Sequence, residues 1–300
     1  MTGLRVGVDI PYLSSPAEIR DFVQAVEELG YDHIGFSEHI CSTVDTVFPG
    51  PMFTFDEPWR ESFTLAAFVA ACTNRIEINP AMVLLPLYPP VLAAKLAAEV
   101  ANLSGDRLRI AASITWNSRE CEALGVDPRT RGARFEEQVG ILRRLWTERA
   151  VDHDGRFFQL HQTGISPRPT RVIPIWFGAG QMPQGAVPSA LAIDRAGRLA
   201  DGFKFAAPTY LDQAQLARSI DALRAAVAGA GRDPQHFGIE VRMIVQATTP
   251  DEYAGVVTRA KTLGASHLGV ANRIAGGTVD DQIAVCARFA ELTRELWAAA

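Results

Sequence analysis

Four stretches of the chain carry side chains or backbone suited to chemistry. In Ser37-Glu38-His39 a carboxylate stands beside an imidazole. An imidazole titrates near neutral pH and a neighbouring acid can fix its tautomer, so His39 can donate or accept a proton with Glu38 as its orienting partner; a histidine so placed can equally cap a loop. In Asn79-Pro80-Ala81-Met82 a proline interrupts an apolar run that continues through Leu85. Proline cannot donate to a ladder, so this run predicts a bulge that pushes backbone out of line, unless Pro80 simply opens the next loop. Phe177-Gly178-Ala179-Gly180 is small enough for backbone N–H groups to approach an anion such as phosphate, and the same residues also suit a plain tight turn. Finally, Phe48, Phe53 and Trp59 crowd one long connection with Val47, Met52 and Phe55 among three prolines. A connection of this length is usually a lid or binding loop, and its apolar content could also bury a subunit contact.

The elements that must position these residues alternate between short β-branched runs and longer helical patterns. Strands are expected at 5–10, 32–37, 75–85, 107–115, 174–177, 202–205, 238–246 and 267–270. Helices are expected at 16–30, 61–72, 90–102, 134–146, 188–198, 211–228, 251–263 and 278–299, the first opening on a Ser15 cap with Pro16 in its first turn. A less regular stretch at 151–171, with a hairpin-like DHDGRFF and two prolines, interrupts the rhythm. Eight β/α units without a low-complexity linker predict one domain over residues 1–300, a (β/α)8 TIM barrel with insertions after strands 2 and 4, in preference to an open doubly wound sheet. In such a barrel the chemistry sits at the C-terminal ends of the strands, which is where Glu38, His39 and Gly178 fall.

Composition narrows the partners. The chain has 300 residues, 48% hydrophobic and 21% charged, a globular mixture able to build a large core. A net charge of -5 with scattered basic residues gives no field for a phosphate backbone, so no nucleic-acid partner is expected. No apolar run approaches a membrane span and the start lacks a signal-peptide pattern, so no membrane is expected and the protein is placed in the cytoplasm. Four cysteines, Cys41, Cys72, Cys121 and Cys286, lie far apart without metal-ligand spacing, so they read as reduced thiols and no metal is expected.

The run from Arg75 through Glu148, together with SEH after the second strand, PIWFGAG at the fifth, ADGF at 200–203 and AGRDP near Arg232, resembles the luciferase-like monooxygenase superfamily. Within it the chain is most similar to the single-component oxidoreductases that use the deazaflavin coenzyme F420. The resemblance implies a barrel that holds a flavin-type ring in its mouth. Glu38 and His39 match the catalytic acid–histidine pair. Pro80, Ala81 and Met82 match the bulge behind the ring, where the family commonly has a non-prolyl cis peptide. Asn117 matches a position that can contact the cofactor's side chain, and Gly178, Ala179 and Gly180 match the phosphate-binding turn, with Phe177 beside them among the expected cofactor contacts. Where the family usually has glycines after strand four, this chain reads Ala111-Ala112-Ser113-Ile114-Thr115-Trp116, so Ser113 and Thr115 offer hydroxyls to the ribityl chain or phosphate. Asp106 likewise replaces a family glycine. Phe48, Phe53, Trp59 and Trp116 are the expected substrate contacts. The expected activity is hydride transfer between F420 and an apolar or conjugated small molecule, in a homodimer. The alternatives are an FMN-dependent monooxygenase fed by a flavin reductase, and a non-catalytic barrel that binds a ligand or nothing.

Overall fold

The computed structural model describes residues 3–42, 55, 58–179, 187–205, 212–245, 249–272 and 277–298. Eight parallel strands close into a barrel in the order β1 (Arg5–Asp9), β2 (His33–Phe36), β3 (Glu77–Leu84), β4 (Ile110–Ser113), β7 (Ile175–Ala179), β8 (Gly202–Phe205), β9 (Gly238–Val245), β10 (His267–Asn272), with β10 returning to β1. Around it lie α1 (Pro16–Glu28), α2 (Ser62–Cys72), α3 (Pro90–Ser104), α5 (Arg131–Thr147), α6 (Ala190–Leu199), α7 (Gln213–Gly229), α8 (Pro250–Thr262) and α9 (Val279–Ala298). The antiparallel pair β5 (Val151–Asp154) and β6 (Gln159–Thr163) stands between α5 and β7, and the short α4 (Ser118–Ala123) between β4 and α5.

Local chemistry sets these boundaries. Ser15 and Glu18 close a reciprocal capping box on α1, as do Asp212 and Gln215 on α7 and Thr249 and Glu252 on α8. The fourth barrel strand is shorter than the expected 107–115 at both ends. Arg107 turns away to bond the carbonyls of Ala70, Thr73, Ile76 and Ser104, binding the ends of α2 and α3 together. At the other end Thr115 has φ 57, a left-handed conformation that leaves the ladder and is unfavourable for a β-branched residue. Asp106, which follows the left-handed Gly105 cap of α3, has φ 64, a conformation that aspartate tolerates better than most side chains.

Each strand turns apolar residues outward against the helices, where Phe22, Ile34, Phe135, Phe203 and Phe289 are fully buried. The interior is polar. Arg5 meets Glu77 at 3.0 Å, Glu77 meets Arg109 at 2.6 Å, Arg109 meets Glu240 at 3.0 Å and Glu240 meets Lys204 at 2.7 Å. Lys204 lies 3.8 Å from Asp9, which pairs in turn with Arg242. These alternating charges run from the start of β1 to the upper half of β9. Burial alone would raise the carboxyl of Glu77, but Arg109 and Arg5 outweigh it and hold it at about 2. Glu240 is held well below the usual carboxylate range against its burial by Lys204 and Arg109. Burial and then Arg109 push His267 down to about 2, which keeps it neutral. Trp176 shares this interior, with the Arg109 guanidinium 4.1 Å from its ring centre, and Gly238 leaves room for it, since a Cβ there would lie 2.1 Å from the indole.

Candidate active site

The third strand supplies a floor at the barrel mouth. The peptide Ala81–Met82 is cis and the β3–β4 register shifts between Ala81 and Val83, so the interruption foreseen from Pro80 is present one residue further on. Pro80 itself is buried within the strand. Ala81, Ala111 and Trp176 pack together with the half-buried Met82 against them. Gly178 completes the contact: a Cβ there would lie 1.9 Å from the Met82 sulfur. Ser37, following β2, donates its hydroxyl to the Ala81 carbonyl at 2.9 Å and ties the next loop to this floor.

That loop carries His39, 8% exposed. Its Nδ1 lies 3.2 Å from Glu120 Oε2, and Glu120 Oε1 accepts from the backbone N–H of Ile40 at 2.6 Å and Cys41 at 3.4 Å. A carboxylate only accepts, so the hydrogen of this contact belongs to Nδ1, and the neutral ring then presents Nε2 as a base. The Trp59 ring meets His39 edge-on at 4.9 Å, Trp116 stands 5.7 Å away, and Tyr12 packs edge-on against Trp59 at 5.0 Å. Imidazole and aromatic faces therefore share one side of the mouth.

The structure corrects the expected partnership of His39. Glu38 makes no bond to it. As successive residues leaving a strand, the two side chains diverge, and Glu38 accepts instead from Leu84 N, Ser62 N and the Tyr88 hydroxyl. It is 2% exposed, and burial pushes its carboxyl up to about 7 despite those donors. Glu120 takes the orienting place. Sequence reasoning passed over it, although Asn117-Ser118-Arg119-Glu120 has the spacing of a helix start, and Asn117 does cap α4 by accepting from Arg119 N and Glu120 N.

Other expected contacts serve the framework. The Thr115 hydroxyl is occupied within its own loop, 3.4 Å from Glu120 and 3.2 Å from Asn117 N, whereas Ser113 stays half-exposed at the end of β4. Phe177 points outward, edge-on to Phe135 of α5 at 4.6 Å, because it alternates with the inward Trp176 and Gly178. Its side chain is thereby removed from the mouth. Gly178 and Ala179 belong to β7 and not to a turn, since their backbones pair with Lys204 and Phe205. Gly180, Phe48 and Phe53 lie outside the described residues.

Comparisons with known proteins agree with this architecture. The model of the family described as luciferase-like monooxygenase matches residues 1–298. Pyrimidine monooxygenase RutA of Bradyrhizobium sp. is 34% identical over 228 residues, 74% of this chain and 60% of that one. The chain thus spans less than two thirds of the length of such relatives; for an uncharacterized protein of Mycobacterium tuberculosis, 30% identical, the share is 56%. Among solved structures, an F420-dependent secondary alcohol dehydrogenase bound to an F420–acetone adduct superposes with TM-score 0.78 over 99% of both chains at 15% identity. Riboflavin lyase RcaE with modified FMN and riboflavin gives TM-score 0.79 over 99% of this chain and 93% of that one, also at 15% identity.

Proposed function

The chain belongs to the luciferase-like monooxygenase family, and from that premise we propose that it is an oxidoreductase in which coenzyme F420 lies on the Ala81–Met82 floor and His39 moves a proton beside it. The observation that carries this reading is the juxtaposition of a floor in which the small residues Ala81, Ala111 and Gly178 lie beside Trp176 and half-buried Met82, and an imidazole oriented by Glu120 on the loop that Ser37 ties to that floor. A flat ring fits such a floor, and bulky inward side chains at 111 or 178 would fill it. When bound, the deazaflavin supplies hydride transfer at C5, to or from an apolar or conjugated small molecule. The chain supplies orientation. Met82 and Ala81 back the ring, Ser113 offers a hydroxyl to the cofactor's side chain, and Trp59 and Trp116, which stand beside His39, hold the substrate. His39, with Nδ1 committed to Glu120, exchanges a proton through Nε2.

A second reading has its own support. The RutA relative is by name a monooxygenase, and the RcaE neighbour holds a modified FMN. In that reading the floor takes FMN and a separate flavin reductase is the partner. Titrating the purified protein with F420 and with FMN, followed by tryptophan fluorescence, separates the two: saturable quenching by F420 alone is expected, quenching by FMN alone moves the assignment to the second reading, and quenching by neither leaves a barrel without a flavin-type cofactor.

A further inference from the structure

The surroundings of Glu38 hold one hydrogen too few for two ionised carboxylates. The Tyr88 hydroxyl lies 2.8 Å from Glu38 Oε2 and 2.9 Å from Glu61 Oε1. A phenol has a single hydrogen to donate, and carboxylates accept only. With both acids charged, one of these short contacts would set oxygen against oxygen with nothing between them. The other bonds do not relieve this. Glu38 receives Leu84 N at 2.6 Å and Ser62 N at 2.9 Å, and Glu61 receives Phe63 N at 2.8 Å and Thr64 N at 2.7 Å, so every backbone donor present is already assigned.

The surroundings also say where the extra proton sits. Glu61 is half-buried and caps the N-terminus of α2; burial would raise its carboxyl, but its donors from Thr64, Phe63 and Tyr88 win and hold it below the usual range. Glu38 is buried almost completely. Among the described residues no Lys, Arg or His pairs with either acid: neighbouring Arg60 bonds the carbonyls of Leu13 and Ser14, and His39 turns to Glu120. The groups facing Glu38 are therefore Glu61 and the Ser62 hydroxyl, which favours the charged acid, from the start of α2, and Tyr88 from the turn after β3; a hydroxyl on Glu38 does not supply the hydrogen missing between Tyr88 and the second carboxylate.

We propose that Glu38 stays a neutral acid at mildly acidic pH, where ordinary side-chain carboxyls are ionised, donating to Tyr88, which donates to Glu61, and that in this form it is a positioning residue for the mouth. Glu38 joins the loop that carries His39, the first turn of α2 and the end of β3 beyond the Ala81–Met82 floor, through Ser62 N and Leu84 N. Its importance to catalysis rests on the reading above; its protonation does not. When the Glu38 proton leaves to solvent, the Tyr88 hydrogen can serve only one of two carboxylates, and the shared contact opens on one side.

The test needs no cofactor. Infrared difference spectra of the wild-type protein should show a protonated carboxylic C=O band at about pH 6, where ordinary side-chain acids are ionised, lost with a midpoint of about 7. The band should be absent from E38Q. In E61Q the Tyr88 hydrogen becomes free to bond an ionised Glu38, so the proton affinity of Glu38 should fall about tenfold or more, a shift of about one pH unit. Near-ultraviolet circular dichroism of the aromatic side chains should change with the same midpoint in the wild type and stay flat in E38Q. Absence of the band at about pH 6, its survival in E38Q, an unmoved midpoint in E61Q, or aromatic spectra indifferent to pH would each overturn the proposal.

Discussion

Replacing Glu240 by Gln removes one charge from the middle of the barrel interior while keeping shape. Glu240 is fully buried, accepts from Arg109 at 3.0 Å and Asn79 Nδ2 at 3.2 Å, and forms an ion pair with Lys204 at 2.7 Å. Without its charge Arg109 keeps Glu77, but Lys204 is left with Asp9 at 3.8 Å as its remaining carboxylate. Stranding a buried charge by removing its partner costs roughly 3–5 kcal/mol. At about 2–4 °C per kcal/mol for chains of this order, the melting temperature should fall by roughly 6–20 °C. Urea denaturation, with the slope checked so that only the midpoint has moved, gives the free energy directly. Glu77→Gln is the comparison: Glu77 is 18% exposed beside an Arg5 that is 42% exposed, so water can replace the lost partner and the cost should be clearly smaller. Combining Glu240→Gln with Lys204→Met removes the stranded cation, so the double variant should be more stable than the sum of the singles. A loss below about 1 kcal/mol for Glu240→Gln, or strict additivity in the double variant, would refute the view that these charges act as one coupled chain.

The remaining expectations concern the mouth and the surface. His39→Ala should lower turnover with a reactive substrate by about 100-fold or more while cofactor affinity stays within about a few-fold, as single-turnover rates and binding titrations on one preparation would reveal. Glu120→Gln should act in the same direction and displace the pH profile of turnover, since an amide can donate to Nδ1 and permits the other tautomer. Gly178→Val should weaken cofactor binding more than it lowers stability, because the added atoms push Met82 from its place on the floor; equal effects on titration and melting curves would contradict this. The carboxyl of Glu38 is raised in the folded state from 4.5 to about 7, so its stabilisation is full below the lower value and is lost as pH rises through the upper one; the E38Q variant should lack this slope in urea midpoints. The outer faces of α2 and α3 carry Ala67, Phe68, Leu92, Leu96 and Leu103 half-buried or exposed, a surface suited to a second copy, and light scattering should give twice the 32.6 kDa of one chain.

Much of the fold was legible because its rules are local. Strand and helix periods, the Ser15 cap and the Pro80 interruption depend on near neighbours in the chain, and they located all eight barrel strands to within a few residues and marked the bend at Ala81–Met82. Adjacency in sequence also suggested that Glu38 serves His39. That inference failed because successive side chains leaving a strand diverge, and the partner came from 81 residues away, on the short helix after β4. The same limit hid the barrel's interior. Arg5, Glu77, Lys204, Glu240 and Arg242 stand on four strands, with Arg109 just before a fifth, and show no common motif; only closure of the sheet sets their charges in alternating order. By itself the sequence determined which residues alternate inward and where backbone must break. The tertiary structure decided which inward groups meet, because a buried charge or hydrogen is satisfied by whatever distant strand closure brings within about 3 Å.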